Sequence, residues 1–483
     1  MGKNFLNGNR LPFRGSSFFV SIGVLFLALV LCLVPYAYNP SLALLAGIAG
    51  LLIVMATYLA WRREGYFSPL LIFSVMYSGY VFGGLYYSGS DEDFGKFVGF
   101  LSLERQEIVA FMQYGLTYVI VSYLMFCFGY FIFASGPRKD FQLRKSGFIV
   151  FFEKYHMVFV LPLLAVGLAY WYWVSVAAAG GLLDLIIYFQ AFRHLIAESS
   201  ISTLPYHFYY AGIFLWLLGS MVKYGKVSLV FLFFSFLGMI INLTQGRITL
   251  SITFILAQVI FVALFESSKE KRAVKVVGFV MTFAFIVYFL RIASNYLFIG
   301  KEFDITSFSF FDVIIGSGNV ADLQQLVIIF HTFDQNNLLV GASYFDWFRN
   351  SIGAAFGMPP SSVGLIIKDL YIPESSGAPT PGAIGEAYAN LHVGGALLMF
   401  FVGLSFYFIR KFSIDSGSPV LLLVYSVFLA RFVFVYPKVD STMFVNFLWG
   451  VTPFLAVILN VYFFYWIAKS SSKYWFYDIR KVR

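Results

Sequence analysis

Runs of apolar residues separated by short polar punctuation recur along almost the whole chain, at 17–36, 41–61, 67–87, 108–133, 157–177, 206–222, 227–243, 248–265, 274–290, 383–409, 419–435 and 444–467. Each is long enough to cross a hydrocarbon core as a helix, and within lipid a helix satisfies its own backbone groups. The pattern predicts an all-α protein with about twelve membrane spans. Two stretches interrupt it. Residues 178–205 are largely apolar, with Asp184, Gln190, Arg193 and His194 breaking through between 180 and 197, which predicts a segment lying in the interface plane. Residues 291–382 form a connection far longer than the usual few residues and so need structure of their own. Helical apolar spacing at 320–330 and 344–356, punctuated by Met358-Pro359-Pro360 and Ser375-Ser376-Gly377, predicts a small helical cap outside the membrane.

The chain thus divides into residues 1–290, with nine spans and short loops; 291–382, the external cap; and 383–483, with three spans and a basic tail. No internal repeat is visible. Composition agrees: 60% hydrophobic residues, 12% charged residues and a mean hydropathy of +0.81 over 483 residues describe a chain that faces lipid. The first apolar run spans a full bilayer without a small-x-small cleavage site, so it is expected to remain as a helix. Cys32 and Cys127 both fall inside apolar runs, where they are expected to pack as small hydrophobes.

Charge adds an orientation. From Lys3, Arg10 and Arg14 onward, every second connection is basic: Arg62-Arg63, the Arg138 to Lys145 loop, Lys223 and Lys226, Lys269 to Lys275, Arg410-Lys411 and the tail. Lys and Arg accumulate on the cytoplasmic side of short loops, so both termini are expected inside. The net charge of +9 is mostly this topology signal together with attraction to anionic lipid; no basic patch suggests nucleic acid.

Candidate chemistry concentrates where the cap re-enters the membrane, in the sequence Pro-Thr-Pro-Gly-Ala-Ile-Gly-Glu-Ala-Tyr-Ala-Asn at 379–390. Thr380 followed by Pro381 reads as a helix start, with Pro381 at the first helical position and free N–H groups facing any anion above. Glu386 follows about 8 Å along the axis, with Asn390 one turn below on the same face. A carboxylate entering an apolar span is costly and so marks a candidate site. His392, nearly two turns beyond Glu386, could serve in proton transfer or simply bond to a neighbouring helix, and Tyr388 could stack on a sugar.

Five cations fall on the outward side, against the bias that fixes the topology: Arg193, Arg247, Arg291, Lys301 and Arg349. Arg247 sits in a very short turn and Arg291 at a span end, so neither can leave the bilayer surface. A ring of guanidinium forks there suits a lipid-linked phosphate, whereas a single arginine at a helix end could only be snorkelling to headgroups. Asp91-Glu92-Asp93 could hold a divalent cation or be a solvated acidic loop. His156, His194, His207, His331 and His392 have no close metal-ligand spacing, so no metal site is expected.

The Gly246-Arg247 turn between two spans, the large external loop before the last three spans, and Pro-Thr-Pro-Gly-x-x-Gly-Glu-x-Tyr-x-Asn leading into Gly394-Gly395 resemble Wzy-type O-antigen repeat-unit polymerases, over roughly residues 240–440. The resemblance implies a GT-C-like glycosyltransferase of the bacterial inner membrane, with its active site and cap on the periplasmic face. Its donor and acceptor would be undecaprenyl-diphosphate-linked oligosaccharides, assembled into O-antigen-type polysaccharide of lipopolysaccharide, with a chain-length-regulator protein as a further partner.

Displacement at an anomeric carbon builds charge on the leaving diphosphate and releases a proton from the acceptor hydroxyl. Arg247 and Arg291 suit the diphosphate, without metal; Arg193, Lys301, Arg349, Tyr388, Asn390 and His392 complete the expected binding set. Glu386 suits either the proton, as base, or the positioning of an arginine. An O-antigen ligase would share this layout and donor, and a flippase would instead carry charges along several mid-membrane faces.

Overall fold

The computed structural model describes residues 40–87, 101, 103–134, 139–177, 179–187, 204–244, 248–280, 282–283, 286, 323–351, 362–373 and 379–481. Among these residues the chain is all helical, with no strand. The elements are α1 (Pro40–Glu64), α2 (Pro69–Tyr87), α3 (Arg105–Phe131), α4 (Gly147–Trp171), α5 (Leu182–Ile187), α6 (Leu204–Tyr224), α7 (Leu229–Thr244) and α8 (Ile248–Phe265). They continue as α9 (Leu323–Thr332), α10 (Asp346–Ser351), α11 (Val363–Tyr371), α12 (Gly382–Leu391), α13 (Gly395–Asp415), α14 (Pro419–Phe428) and α15 (Met443–Lys481). Five helical stretches are long and apolar enough to cross a membrane: Ser41–Glu64, Arg105–Phe131, Gly147–Ala177, Gly382–Asp415 and Met443–Ser470. Leu229–Thr244, Thr249–Phe265 and Pro419–Val433 are shorter apolar helices.

The bundle wears its apolar side chains outward as well as inward. Leu44, Val158, Phe233, Phe412 and Leu459 are all exposed, on α1, α4, α7, α13 and α15. An apolar surface this extensive is one that lipid covers, and the chain is a polytopic membrane protein. The interior is where polar groups find each other. Ser74 Oγ and Tyr123 Oη lie 2.6 Å apart, Tyr77 Oη donates to the Val119 carbonyl at 2.6 Å, and Tyr210 Oη donates to Asn242 Oδ1 at 2.6 Å. Without a water-driven force between helices, such bonds and close backbone packing hold a bundle together. Gly129 on α3 and Gly403 on α13 show the second device, since a Cβ at either would overlap the backbone carbonyl of the facing helix.

The basic connections meet at one end. Arg63 Nη1 donates to the Ala134 carbonyl at 2.8 Å, the Tyr66 amide to Glu270 Oε1 at 2.6 Å, and Lys269 Nζ to the Gly225 carbonyl at 2.6 Å. Lys139 pairs with Asp415 at 3.3 Å, Arg410 Nε with Glu64 at 3.3 Å, and the Arg144 amide bonds the Gly417 carbonyl at 2.9 Å. The start of α12 and the residues that join it lie at the other end of the stretch Gly382–Asp415, the seam end.

The cap expectation is refined. Helices α9, α10 and α11 do occur between the spans, but α9 is sunk into the bundle, with Leu323, Leu326, Val327 and Ile329 fully buried. Phe330, Leu323 and Leu326 close over Gly115 of α3, where the missing side chain makes room.

Candidate functional site at the seam

Every residue of α12 from Gly382 to Asn390 is buried, and Glu386 is completely so. Its carboxylate is met from two other segments. Ser343 Oγ donates to Oε1 at 2.8 Å, Ser441 Oγ to Oε1 at 2.6 Å, and the Ser441 amide to Oε2 at 2.7 Å. Asn390, one turn on, donates through Nδ2 to the Glu386 carbonyl at 2.8 Å and to Ser343 Oγ at 2.7 Å, while its Oδ1 accepts from the Gly341 amide at 2.9 Å. The amides of Leu339 and Val340 then bond the carbonyls of Ala389 and Asn390 at 3.0 and 3.2 Å. The arrangement ties the 339–343 turn of the connection, the seam helix and the loop before α15 into one unit. Val340 sits there at φ 48°, a conformation that a β-branched residue tolerates only where neighbours over-determine it.

Helix α12 starts differently from the expectation. It begins at Gly382, with Pro381 as the capping residue and no side-chain cap, because Gly382 turns the chain at φ 67°. Thr380 Oγ1 is buried without a hydrogen-bond partner among the described residues, so it does not cap. The span is also not continuous: α12 ends at Leu391, and His392 takes φ 52°, ψ −135° before α13 begins at Gly395. Tyr118 Oη holds the break by donating to the His392 carbonyl at 3.3 Å. Gly395 is needed because a Cβ there would collide with the Ala387 carbonyl and the Tyr118 hydroxyl. His392 therefore lies on the break, half-buried, with its ring 4.6 Å from that of Tyr388.

Tyr388 is enclosed by aromatic rings, at 4.2 Å from Phe330 and 5.2 Å from Tyr118, so it docks α9 on α3 and is not open to stack on a sugar. Arg349 is half-buried on α10. Arg193, Arg247, Arg291, Lys301 and the Asp91-Glu92-Asp93 motif lie outside the described residues; the helices flanking Arg247 end at Thr244 and resume at Ile248. Glu386 and Asn390 are thus brought together, with serines as the side-chain donors to the carboxylate. Among the described residues no group of His, Cys, Asp and Glu has metal-holding geometry.

Asp346, Asp440 and Lys438 at this end escaped sequence reading, whereas Arg431 stood out as a charge inside the apolar run 419–435. Asp346 and Asp440 are buried beside the Glu386 unit. Burial pushes the Asp440 carboxyl above the usual range, against the hydrogen bonds from the Thr442 amide and hydroxyl, and Asp346 adds to the rise. Burial pushes the Lys438 ammonium down to about 8. Arg431 is 2% exposed on a π-turn at Leu429–Val433, tight against Gly450. A second π-turn, Tyr172–Ala177, stands at the same end and bonds Tyr206 through Ser175 at 3.0 Å. Wide turns of this kind are rare and recur at functional sites. Arg431 within an apolar run and Asp-Ser-Thr at 440–442 before another were the visible signals; π-turns leave none in a single sequence.

Fold and site together define a multi-pass helical membrane protein with a buried polar joint where one span is broken. No protein-family model, curated protein or solved structure matches the chain.

Proposed function

We propose that the chain is a lipid-linked oligosaccharide glycosyltransferase that polymerises undecaprenyl-diphosphate-linked repeat units on the periplasmic face of the inner membrane. About twelve spans, cytoplasmic termini and a periplasmic seam end complete the reading. The observation that carries it is the joint at Glu386: a buried carboxylate that fixes the large connection to a broken span at the end opposite the basic loops. A lipid-linked substrate keeps its diphosphate at the membrane surface, so a glycosyltransferase for it needs a structured element anchored there. Glu386 acts as a positioning residue, since its partners already occupy both oxygens, and Arg247 and Arg291 clamp the diphosphate without metal.

The test exploits the difference between a guanidinium fork and an ammonium. Arg247→Lys and Arg291→Lys keep the charge but lose paired bonds, and a lost transition-state donor typically lowers rate about 100- to 1,000-fold. Both variants should reach normal expression and leave mostly single-repeat glycans on sized surface polysaccharide. Wild-type chain lengths in both would make these arginines membrane anchors. A deletion strain giving no glycan attached, in place of single repeats, would make the protein a ligase.

A further inference from the structure

At the basic end, away from the joint, a cavity of about 410 Å³ opens between α4, α6 and the start of α7. Lys154, Lys223 and Lys226 stand at it, all exposed, and among the described residues no carboxylate lies within 4.0 Å of any of them. Lys269, which donates to the Gly225 carbonyl of the turn between Lys223 and Lys226, contrasts with them by pairing with Glu266 at 2.6 Å. The cavity also takes in the buried ring of His156 and the half-buried Trp216, so cationic mouth and apolar floor lie in one recess. His156 fits because Gly219 on α6 offers no side chain, and a Cβ there would strike the ring. Ser228 lines the cavity too and caps α7, accepting from the Phe231 amide at 3.1 Å. The positive end of α7, sixteen residues long, is thereby directed at the same recess.

We infer that this recess binds a phosphate-bearing anion, either the headgroup of an anionic phospholipid or a soluble phosphate, at the face opposite the proposed active site. Three ammonium groups, a helix N-terminus and the hydroxyls of Ser220, Tyr224 and Ser228 form a site for phosphate oxygens; the indole of Trp216 and the side chain of Met157 suit a glycerol or acyl segment. Basic recesses between helix ends hold anionic headgroups through this combination.

The experiment uses the full chain in neutral detergent, with quenching of Trp216 fluorescence by dibrominated phosphatidylglycerol or dibrominated phosphatidylcholine; Trp216→Phe supplies the background from the other tryptophans. Wild-type protein should be half-quenched at a mole fraction of the glycerol lipid at least about tenfold lower than of the choline lipid. Lys154→Gln, Lys223→Gln and Lys226→Gln should each cut that preference roughly fivefold at most, and the triple variant should abolish it. The triple Lys→Arg variant should keep it. If inorganic phosphate, and not chloride at equal ionic strength, displaces the bromolipid, the site takes soluble phosphate; if it does not, the site takes headgroups. Equal quenching by the two lipids, or full preference in the triple Gln variant, overturns the assignment.

Discussion

Two buried glutamates, one at each end of the molecule, answer the same problem differently. Glu64, at the basic end, faces a full positive charge: Arg410 Nε lies 3.3 Å away, and Tyr130 Oη donates to the same oxygen at 2.5 Å. Glu386, at the seam, is held by two serine hydroxyls and one backbone amide from two other segments. The first is an ion pair that fastens α1, α3 and α13 at fixed spacing. The second is a joint whose integrity depends on the position of neutral donors, and so on the connection staying where it is. A carboxylate neutralised by a guanidinium is committed to structure, whereas one held by small neutral donors depends on the segments that supply those donors being in place.

Breaking the Glu64 pair gives the largest expected effect. Glu64→Gln leaves Arg410 buried without its counter-charge, and removing one partner of a buried pair costs about 3–5 kcal/mol. Thermal unfolding in detergent should show that loss, while Glu64→Gln combined with Arg410→Met should recover most of it. If single and double variants unfold alike, the pair adds nothing.

At the seam the effect should be smaller and local. Glu386→Gln presents an amide donor to groups that already donate, and each unsatisfied buried group costs about 1–3 kcal/mol. The amides of Leu339, Val340 and Gly341 should then exchange hydrogen about 10- to 100-fold faster than in wild type, with the basic end unchanged. Ser343→Ala and Ser441→Ala should each give about 1 kcal/mol, and coupling with Glu386→Gln should be non-additive. Unchanged exchange at these amides would mean that the joint does not hold the connection.

A further expected effect is a pH dependence. Lys438 in the folded chain releases its proton near pH 8, because burial disfavours the ammonium, whereas an unfolded lysine keeps it to about 10.4. Between these values the unfolded chain binds the extra proton, so stability rises with pH; below about 8 the cost of the buried charge is constant. The melting temperature should climb by a few degrees from about pH 8 to about pH 10, and Lys438→Met should flatten the climb. An equal climb in the variant would assign it to another group.

Much of this was legible in the sequence, and the missing portion has a common cause. Apolar runs long enough to span a bilayer marked helices, because in lipid a segment must satisfy its backbone within itself; the runs at 41–61, 108–133 and 157–177 became α1, α3 and α4 with shifted ends. The alternation of basic loops marked which connections share an end, since that bias is written in local composition, and the bonds from Arg63 to Ala134 and from Lys269 to Gly225 join such loops. The expense of a carboxylate in an apolar helix marked Glu386 and, with it, Asn390. Three things depended on residues far apart in the chain. That Glu386 is met by Ser343 and Ser441 was fixed by three segments arriving at one place. That Tyr388 is an enclosed packing residue was fixed by Phe330 and Tyr118 coming in from other helices. That the span breaks at His392 was fixed by Tyr118 holding its carbonyl while Gly395 lets the helices close. Periodicity and charge act within a few turns and can be read from one chain; a hydrogen bond between distant positions exists only once tertiary packing has brought its two ends within 3 Å.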